Sequence, residues 1–350
     1  MTTPNKTFIF KKIPIGLPVA GEHLAVEDRP IDLNDVPEDG LVVEVIYASF
    51  DPYQRGSMRN ARVKSYRPAF ELNGPILNHT VSKVLKSNTH SFAEGDLVLA
   101  YTPIAEYARL ATSILQHKIS PARKIQNPYN LDLGLFLGPL GLSGLTAWSG
   151  LYKIGQPKKG ETIFISSAAG AVGQVVGQIA KRLGLNVIGS VGSDEKLKLI
   201  KDLGFDTGFN YKKDDPEDVL PELAPSGIDI YFDNVGGNQL EAALACMNFE
   251  GRVISCGMIT DYNIPPSKQQ GVKGLGQIIT KNITMEGYIA TTPKFGPVYF
   301  EEHQEIMQKW LSDGSVKAKL FVTQGIDNAP NGFIGMFNGQ NFGKAILKIK

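Results

Sequence analysis

The run Thr162–Leu183, TIFISSAAGAVGQVVGQIAKRL, changes its hydrophobic period part-way along. Thr162 to Ser166 is rich in apolar and β-branched residues, the pattern of a strand covered on both faces. Ser167 to Val172 is a string of small residues suited to a tight turn. Val172, Val175, Val176, Ile179, Ala180 and Leu183 then recur at helical spacing, so the next helix has one face to dock on a sheet. The alternation continues with a strand at Asn186–Val191, a helix over Asp194–Leu203, a short strand near Gly208–Tyr211, a helical segment at Pro216–Leu223 and a strand in GIDIYFDNV. Strands alternating with helices predict right-handed crossovers and a parallel sheet.

The chain on either side is patterned differently. Thr7–Lys12, Leu41–Tyr47, Val81–Lys86 and Asp96–Ala100 are short β-like runs with little helical periodicity, and VPEDG at 36–40 and FAEGD at 92–96 mark strand entries. An all-β, barrel-like domain is expected there. Helical character begins near Leu131. After a helix over Val298–Leu311, the end of the chain reads strand, helix, strand and is expected to rejoin the β-rich part. The predicted division is residues 1–135 with 313–350 as one domain and 136–312 as the other. At 350 residues, two cores are the first expectation.

Charge alters this picture little. Net charge is +1 with acids and bases interspersed, so neither a nucleic-acid nor a membrane footprint is visible. No apolar run reaches the roughly 18 residues of a spanning helix, and MTTPNKTFIFKK lacks a signal-peptide core. A soluble, cytoplasmic protein is expected. Cys246 and Cys256 are the only cysteines, too few for a disulfide framework or for a cysteine-rich zinc lobe. The five histidines show no paired spacing, so no metal site is expected.

The candidate chemistry centres on the small-residue turn. Ala168, Gly170 and Gly173 fall on the positions of G-x-G-x-x-G, with alanine at the first, and Gly177 allows close packing of the helix. Backbone N–H groups of Gly170, Ala171, Val172 and Gly173 at a helix start suit a dinucleotide pyrophosphate. An NAD site usually places an acid about 20 residues further on. Here the window reads IGSVGS, and the first carboxylate is Asp194. Ser193 and Lys196 can meet a 2′-phosphate instead, which favours NADP(H). The other roles open to these residues are a solvated Lys196 and an Asp194 that caps the helix or binds ribose. Asn234 follows a strand where ligand crevices form, and Cys256 and Gly257 end another. The loop 258–276 is long, polar and rich in Gly and Pro, as a lid would be.

A wider set of motifs carries a resemblance. SAAGAVG, GSDEK, FNYK, FDNVGG, GRVISCGMITDYN, ITMEGY, DPYQRG and a terminal NFGKAILK together resemble the medium-chain dehydrogenase/reductase superfamily. Within it the chain is similar to the zinc-independent branch of prostaglandin reductase, leukotriene B4 dehydrogenase and alkenal double-bond reductases. The resemblance implies an α/β protein with a GroES-like β-barrel catalytic domain and a Rossmann domain with a doubly wound parallel sheet. It further implies NADPH-dependent, metal-free reduction of the C=C bond of α,β-unsaturated aldehydes and ketones. Quinone reduction, allylic alcohol oxidation and a non-catalytic dinucleotide sensor are the alternatives. By the same resemblance Tyr262 is the donor over the substrate carbonyl or else a pocket wall. Tyr211 lies near the 2′-phosphate, Asn234 and Asn341 contact the cofactor, and Thr146 approaches the nicotinamide. Tyr53 is a substrate contact or a packing residue, and Ile289 and Phe295 line the pocket or else belong to the core. A homodimer formed through the edge strand near Thr284–Tyr288 is implied as well.

Overall fold

The computed structural model describes residues 1–117 and 120–350 and falls into two compact units, Met1–Leu137 with Leu320–Lys350, and Gly138–Lys319. The first unit opens with β1 (Lys6–Phe10) paired antiparallel to β2 (Leu24–Asp28). Next come β3 (Leu41–Ser49), the single turn α1 (Gln54–Ser57), β4 (Leu77–Ser87), β5 (Leu97–Pro103), β6 (Tyr107–Leu110), the turn α2 (Thr112–Leu115) and β7 (Arg123–Lys124). The turn signals 36–40 and 92–96 stand directly before β3 and β5.

The second unit contains α3 (Leu142–Gly150), β8 (Thr162–Ile165), α4 (Gly173–Arg182), β9 (Asn186–Val191), α5 (Asp194–Asp202) and β10 (Thr207–Asn210). It continues with α6 (Pro216–Leu223), β11 (Ile228–Asp233), α7 (Gly237–Cys246), β12 (Met247–Ser255), α8 (Gly276–Thr280), β13 (Thr284–Gly287) and α9 (Gly296–Ser312). The chain then returns to the first unit with β14 (Leu320–Gln324), α10 (Ala329–Phe337) and β15 (Lys344–Lys348).

All six strands of the second unit are parallel, in the order β10-β9-β8-β11-β12-β13. The strand order reverses at β8 and β11, with β9 and β10 added on one side and β12 and β13 on the other, so the doubly wound order leaves a crevice beyond their carboxyl ends. The expected α/β class with a doubly wound parallel sheet is the observed one. In the first unit β14-β15-β3-β4-β5-β7 form one sheet with β6 on β3, mostly antiparallel, and Phe8, Phe50 and Phe333 form an edge-to-face cluster in its core. Among the described residues no helix is long and apolar enough to cross a membrane.

Candidate cofactor and substrate sites

The turn after β8 is held open by its own backbone. Ala168 N–H donates to Ser190 O of β9 at 2.9 Å, Ser166 N–H to Phe232 O of β11 at 3.2 Å, and Ser167 takes a left-handed φ of 51°. A Cβ on Gly173 would lie 2.4 Å from Ser167 O, so only glycine lets the first turn of α4 pass under the loop. A Cβ on Gly177 would strike the Phe205 ring at 2.0 Å, and glycine there seats the helix on its neighbours. Among the described residues the N–H groups of Ala171 and Val172 donate to no protein acceptor. They stand at the positive end of a ten-residue helix, which suits a pyrophosphate.

Across the switch point, Asp233 is buried at the end of β11. Its Oδ1 accepts from Val235 N–H at 2.9 Å, Gly236 N–H at 2.8 Å and the Tyr231 hydroxyl at 2.8 Å, which fixes the turn that carries Asn234. Burial raises the Asp233 carboxyl above its usual range, and these donors oppose the rise. Asn234 in turn donates Nδ2–H to Ser166 O at 2.8 Å and its own N–H to Ser166 Oγ at 2.9 Å. The two strand ends are thus clamped together.

At the end of β9, Ser193 caps α5, its Oγ accepting from Lys196 N–H at 3.3 Å. Lys196 is half-buried, and burial together with the Lys212 charge lowers its ammonium below the usual lysine range. Tyr211 leans over the same place, its hydroxyl 3.0 Å from where a Cβ on Gly192 would be. Asp194 is occupied elsewhere: its oxygens accept from Asn210 Nδ2–H at 2.9 Å and from Lys213 Nζ at 2.5 Å. Two ammonium groups beside a helix start and a phenol match a phosphate better than a ribose diol. Lys212, the second cation, closes the FNYK motif, of which only Tyr211 carried an expected role.

Tyr262 lies in the loop that folds back on the β11 end. Thr260 Oγ1–H donates to Val235 O at 2.7 Å, and a Cβ on Gly257 would stand 3.3 Å from the Tyr262 hydroxyl. The Tyr262 hydroxyl therefore reaches the rim that also carries Asn234 and Cys256. The expected lid, 258–276, contains one short 3₁₀ turn at Pro266–Lys268 and leads into α8. The Cys256 thiol is pushed up to about 12 by burial and touches the Tyr288 hydroxyl. That hydroxyl donates to Thr146 O on α3 at 2.7 Å, while Thr146 Oγ1–H is spent on Leu142 O at 2.7 Å. Tyr288 is a second residue that sequence reasoning missed, although it closes the ITMEGY motif. Ile289, beside it, is 36% exposed, and Phe295 is buried with its ring 5.1 Å from that of Tyr288.

Two candidates belong to the first unit. Asn341 is half-buried and donates Nδ2–H to Gly343 O at 2.8 Å. Tyr53 is half-buried and donates its hydroxyl proton to Asn78 Oδ1. Asn78 is held by Ser49 O at 2.8 Å and Asp51 Oδ2 at 3.1 Å, and Asp51 pairs with the buried Lys344 at 2.5 Å.

A family model described as the N-terminal domain of oxidoreductase matches residues 6–117, and one described as zinc-binding dehydrogenase matches residues 171–309. The chain is 50% identical to NADP-dependent oxidoreductase RED1 of Cochliobolus heterostrophus, over 99% of this chain and 97% of that protein. It is a medium-chain dehydrogenase/reductase. Within this family it is also 39% identical to a 2-alkenal reductase (NADP(+)-dependent) of Nicotiana tabacum, over 99% of this chain and 97% of that one. Among solved structures, CurA of Vibrio vulnificus in complex with NADPH superposes with a TM-score of 0.88 at 34% identity, covering 99% of both chains. Despite the description of the second family model, the described residues contain no group of three His, Cys, Asp or Glu side chains that could hold a metal ion. The donor set does not fit zinc.

Proposed function

We propose that this NADP-dependent oxidoreductase reduces the carbon–carbon double bond of α,β-unsaturated aldehydes and ketones. The observation that carries the reading is the Tyr262 hydroxyl at the Gly257 rim, beside the strand ends that suit a dinucleotide. The 2-alkenal reductase among the relatives supports it, as does the likeness to the prostaglandin reductase and alkenal reductase branch.

Bound NADPH supplies a hydride to the β-carbon of the enone. The protein's part is orientation and polarisation. The N–H groups of Ala171, Val172 and Gly173 hold the pyrophosphate, while the Gly170 N–H expected to join them is spent on Ser167 O at 2.9 Å and shapes the turn; Ser193, Lys196 and Tyr211 take the 2′-phosphate. Asn234, Cys256 and Thr146 border the nicotinamide half, and Asn341 is a further cofactor contact. Tyr262 donates a hydrogen bond to the carbonyl oxygen as negative charge gathers there, and a donor aimed at developing charge lowers the barrier. A thiol titrating near 12 stays protonated at neutral pH, so Cys256 walls the site without acting as a nucleophile. Tyr53 and Ile289 contact substrate.

Each strand of the parallel sheet but the outermost two has neighbours on both sides, and β13, at one edge, has all four residues exposed. A homodimer that pairs β13 across a two-fold axis would cover it, and sedimentation at a single 38.1 kDa species would refute that pairing.

The test of the reaction is NADPH oxidation with a panel of enones, quinones and allylic alcohols, with product identification. Saturated ketones and aldehydes from the enones are the expected products. Quinols, or an unsaturated carbonyl product from the alcohols run with NADP+, would replace this reading, and no turnover with any member would leave a non-catalytic binder.

A further inference from the structure

One cation of the first unit is built into its surroundings without an acid to match it. Arg67 is half-buried, and none of the ion pairs among the described residues includes it. Its guanidinium carbon stands 4.2 Å from the centroid of the Tyr53 ring and 5.2 Å from that of Tyr101. The placement is held by a second arginine. Arg59 donates from Nε to Val63 O at 2.9 Å, from Nη1 to Gly56 O at 2.9 Å and from Nη2 to Arg67 O at 2.6 Å, tying the 56–67 segment to itself.

The groups around Arg67 leave its charge unneutralised. Both amide hydrogens of Asn78 are spent on Ser49 O and Asp51 Oδ2, so Asn78 Oδ1 is an acceptor, and the Tyr53 hydroxyl must donate to it. Tyr53 therefore offers Arg67 the electron-rich face of a neutral phenol. His79 packs edge-on against the other side of the Tyr101 cluster, ring centroids 5.5 Å apart. Its Nε2 pairs with Ser120 Oγ at 2.7 Å, and its buried Nδ1 has no protein partner. Burial pushes that imidazole down to about 4, so it is neutral at physiological pH.

Burial disfavours the Arg67 cation, but the tyrosines around it, including a hydrogen bond with Tyr101, outweigh that effect and hold the guanidinium above its usual range. Ring faces stabilise a guanidinium from above, and the N–H donors that Tyr101 does not use match a carboxylate, which supplies the counter-ion that neutral phenols do not. We propose that Arg67, over the Tyr53 and Tyr101 rings, anchors a subsite for the carboxylate of an acidic ligand. Resting on the reading above, in which Tyr53 contacts substrate, the preferred substrates are enones and enals that carry a carboxylate, their apolar arm lying along the two tyrosine rings.

The test separates the subsite from the reaction. Calorimetry on the full chain saturated with NADP+ compares 7-oxooctanoate, which has no double bond to reduce, with its methyl ester. The acid should bind about tenfold more tightly, the worth of a hydrogen-bonded charge pair at a half-buried position. That ratio should fall toward one in Arg67→Met, fall partly in Arg67→Lys and shrink as salt is raised. Thermal melting confirms that each variant is folded, and Arg67→Lys keeps the charge should Arg67→Met fail to fold. Equal binding of acid and ester by the unaltered protein, or a ratio that survives in both variants, overturns the proposal. The kcat/KM ratio for 7-oxooct-5-enoate over its methyl ester should follow the same order. Enones reduced with no acid preference sink the subsite and leave the reductase reading standing. Acid preference in calorimetry with no reduction of either enone sinks the reductase reading and leaves the subsite standing.

Discussion

Replacing Lys196 by alanine tests the preference for a 2′-phosphate directly. In the free protein this ammonium is disfavoured twice, by burial and by Lys212, and both lower it below the usual lysine range. A dianionic phosphate reverses both effects. A hydrogen bond to a charged group contributes about 1.5–3 kcal/mol, and because Lys196 is only half-buried and Lys212 remains, the lower half of that range applies. At about 1.4 kcal/mol per decade this predicts a rise of about tenfold to fortyfold in the Kd for NADP+. The Kd for NAD+, which lacks the phosphate, should change by less than about twofold. Calorimetry on the full chain measures both without depending on any substrate. The increase in melting temperature produced by NADP+ should shrink. In the unaltered protein, NADPH kcat/KM should decline on the alkaline side earlier than an exposed lysine would dictate, as Lys196 loses its proton. It should decline on the acid side as the phosphate passes its second pKa near 6. Equal loss of affinity for NADP+ and NAD+ in Lys196→Ala would refute the reasoning, because the residue would then be supporting the fold of the β9–α5 corner and not reading the phosphate.

Four further outcomes can be measured. Tyr262→Phe should lower kcat at least tenfold with an enone while leaving the Kd for NADP+ unchanged, and unaltered steady-state kinetics would reduce Tyr262 to a pocket wall. Hydrogen exchange in 258–276 should slow when NADPH binds, and no protection there would make the segment a rigid wall. Lys344→Met should destabilise the first unit by about 3–5 kcal/mol, because it strands the buried Asp51 carboxylate. Burial pushes Asp51 up, but Lys344, Ser49 and Asn78 together hold it below its usual range. Its contribution is therefore present above the unfolded value near 3.9 and lost as pH falls through the folded one. Without Lys344 the burial effect is opposed only by the Ser49 and Asn78 hydrogen bonds, so the contribution should reverse sign and be lost as pH rises. Circular dichroism should follow this unfolding, since both tryptophans, Trp148 and Trp310, lie in the second unit; matching pH slopes in the two proteins would contradict the sign argument. Cys246, half-exposed, should react with iodoacetamide at pH 8 well before Cys256, whose thiol is pushed up to about 12, and mass spectrometry showing Cys256 labelled first would contradict that environment.

Much of the second unit was legible in the sequence because its elements announce themselves locally. The β-branched run at 162–166 and the helical spacing from Val172 to Leu183 need no distant partner to be recognised, and they correspond to β8 and α4. The phosphate cradle is legible for the same reason: its chemistry is backbone N–H, and the backbone path requires glycine at Gly173. Short strands of the first unit were harder. LAVED and YARL carry charged residues at alternate or terminal positions and became β2 and β6 through pairing with β1 and β3. The helix α7, GNQLEAALAC, has glycine and not Ser, Thr, Asp or Asn at its N-cap position, Gly236, with a φ of 74°.

Side chains that act through distant partners lie beyond any local pattern. Lys344 and Asp51 are 293 positions apart, and neither DPYQRG nor NFGKAILK contains a sign that one buried cation and one buried anion will meet. What joins them is strand order: β15 lies beside β3, with Ile346 opposite Ser49, so the strand that carries Lys344 runs past the segment that follows β3. The same holds for recognition. Arg67 is one of many cations in the sequence, and its sequence neighbours suggest an exposed loop. It becomes a candidate receptor only when Arg59 closes that loop upon itself and the phenols of Tyr53 and Tyr101 come under its guanidinium. Motifs made of backbone chemistry are therefore readable one segment at a time, whereas a site made of side-chain charge is defined by which opposite charges the fold places within reach, and for Arg67 it places none among the described residues.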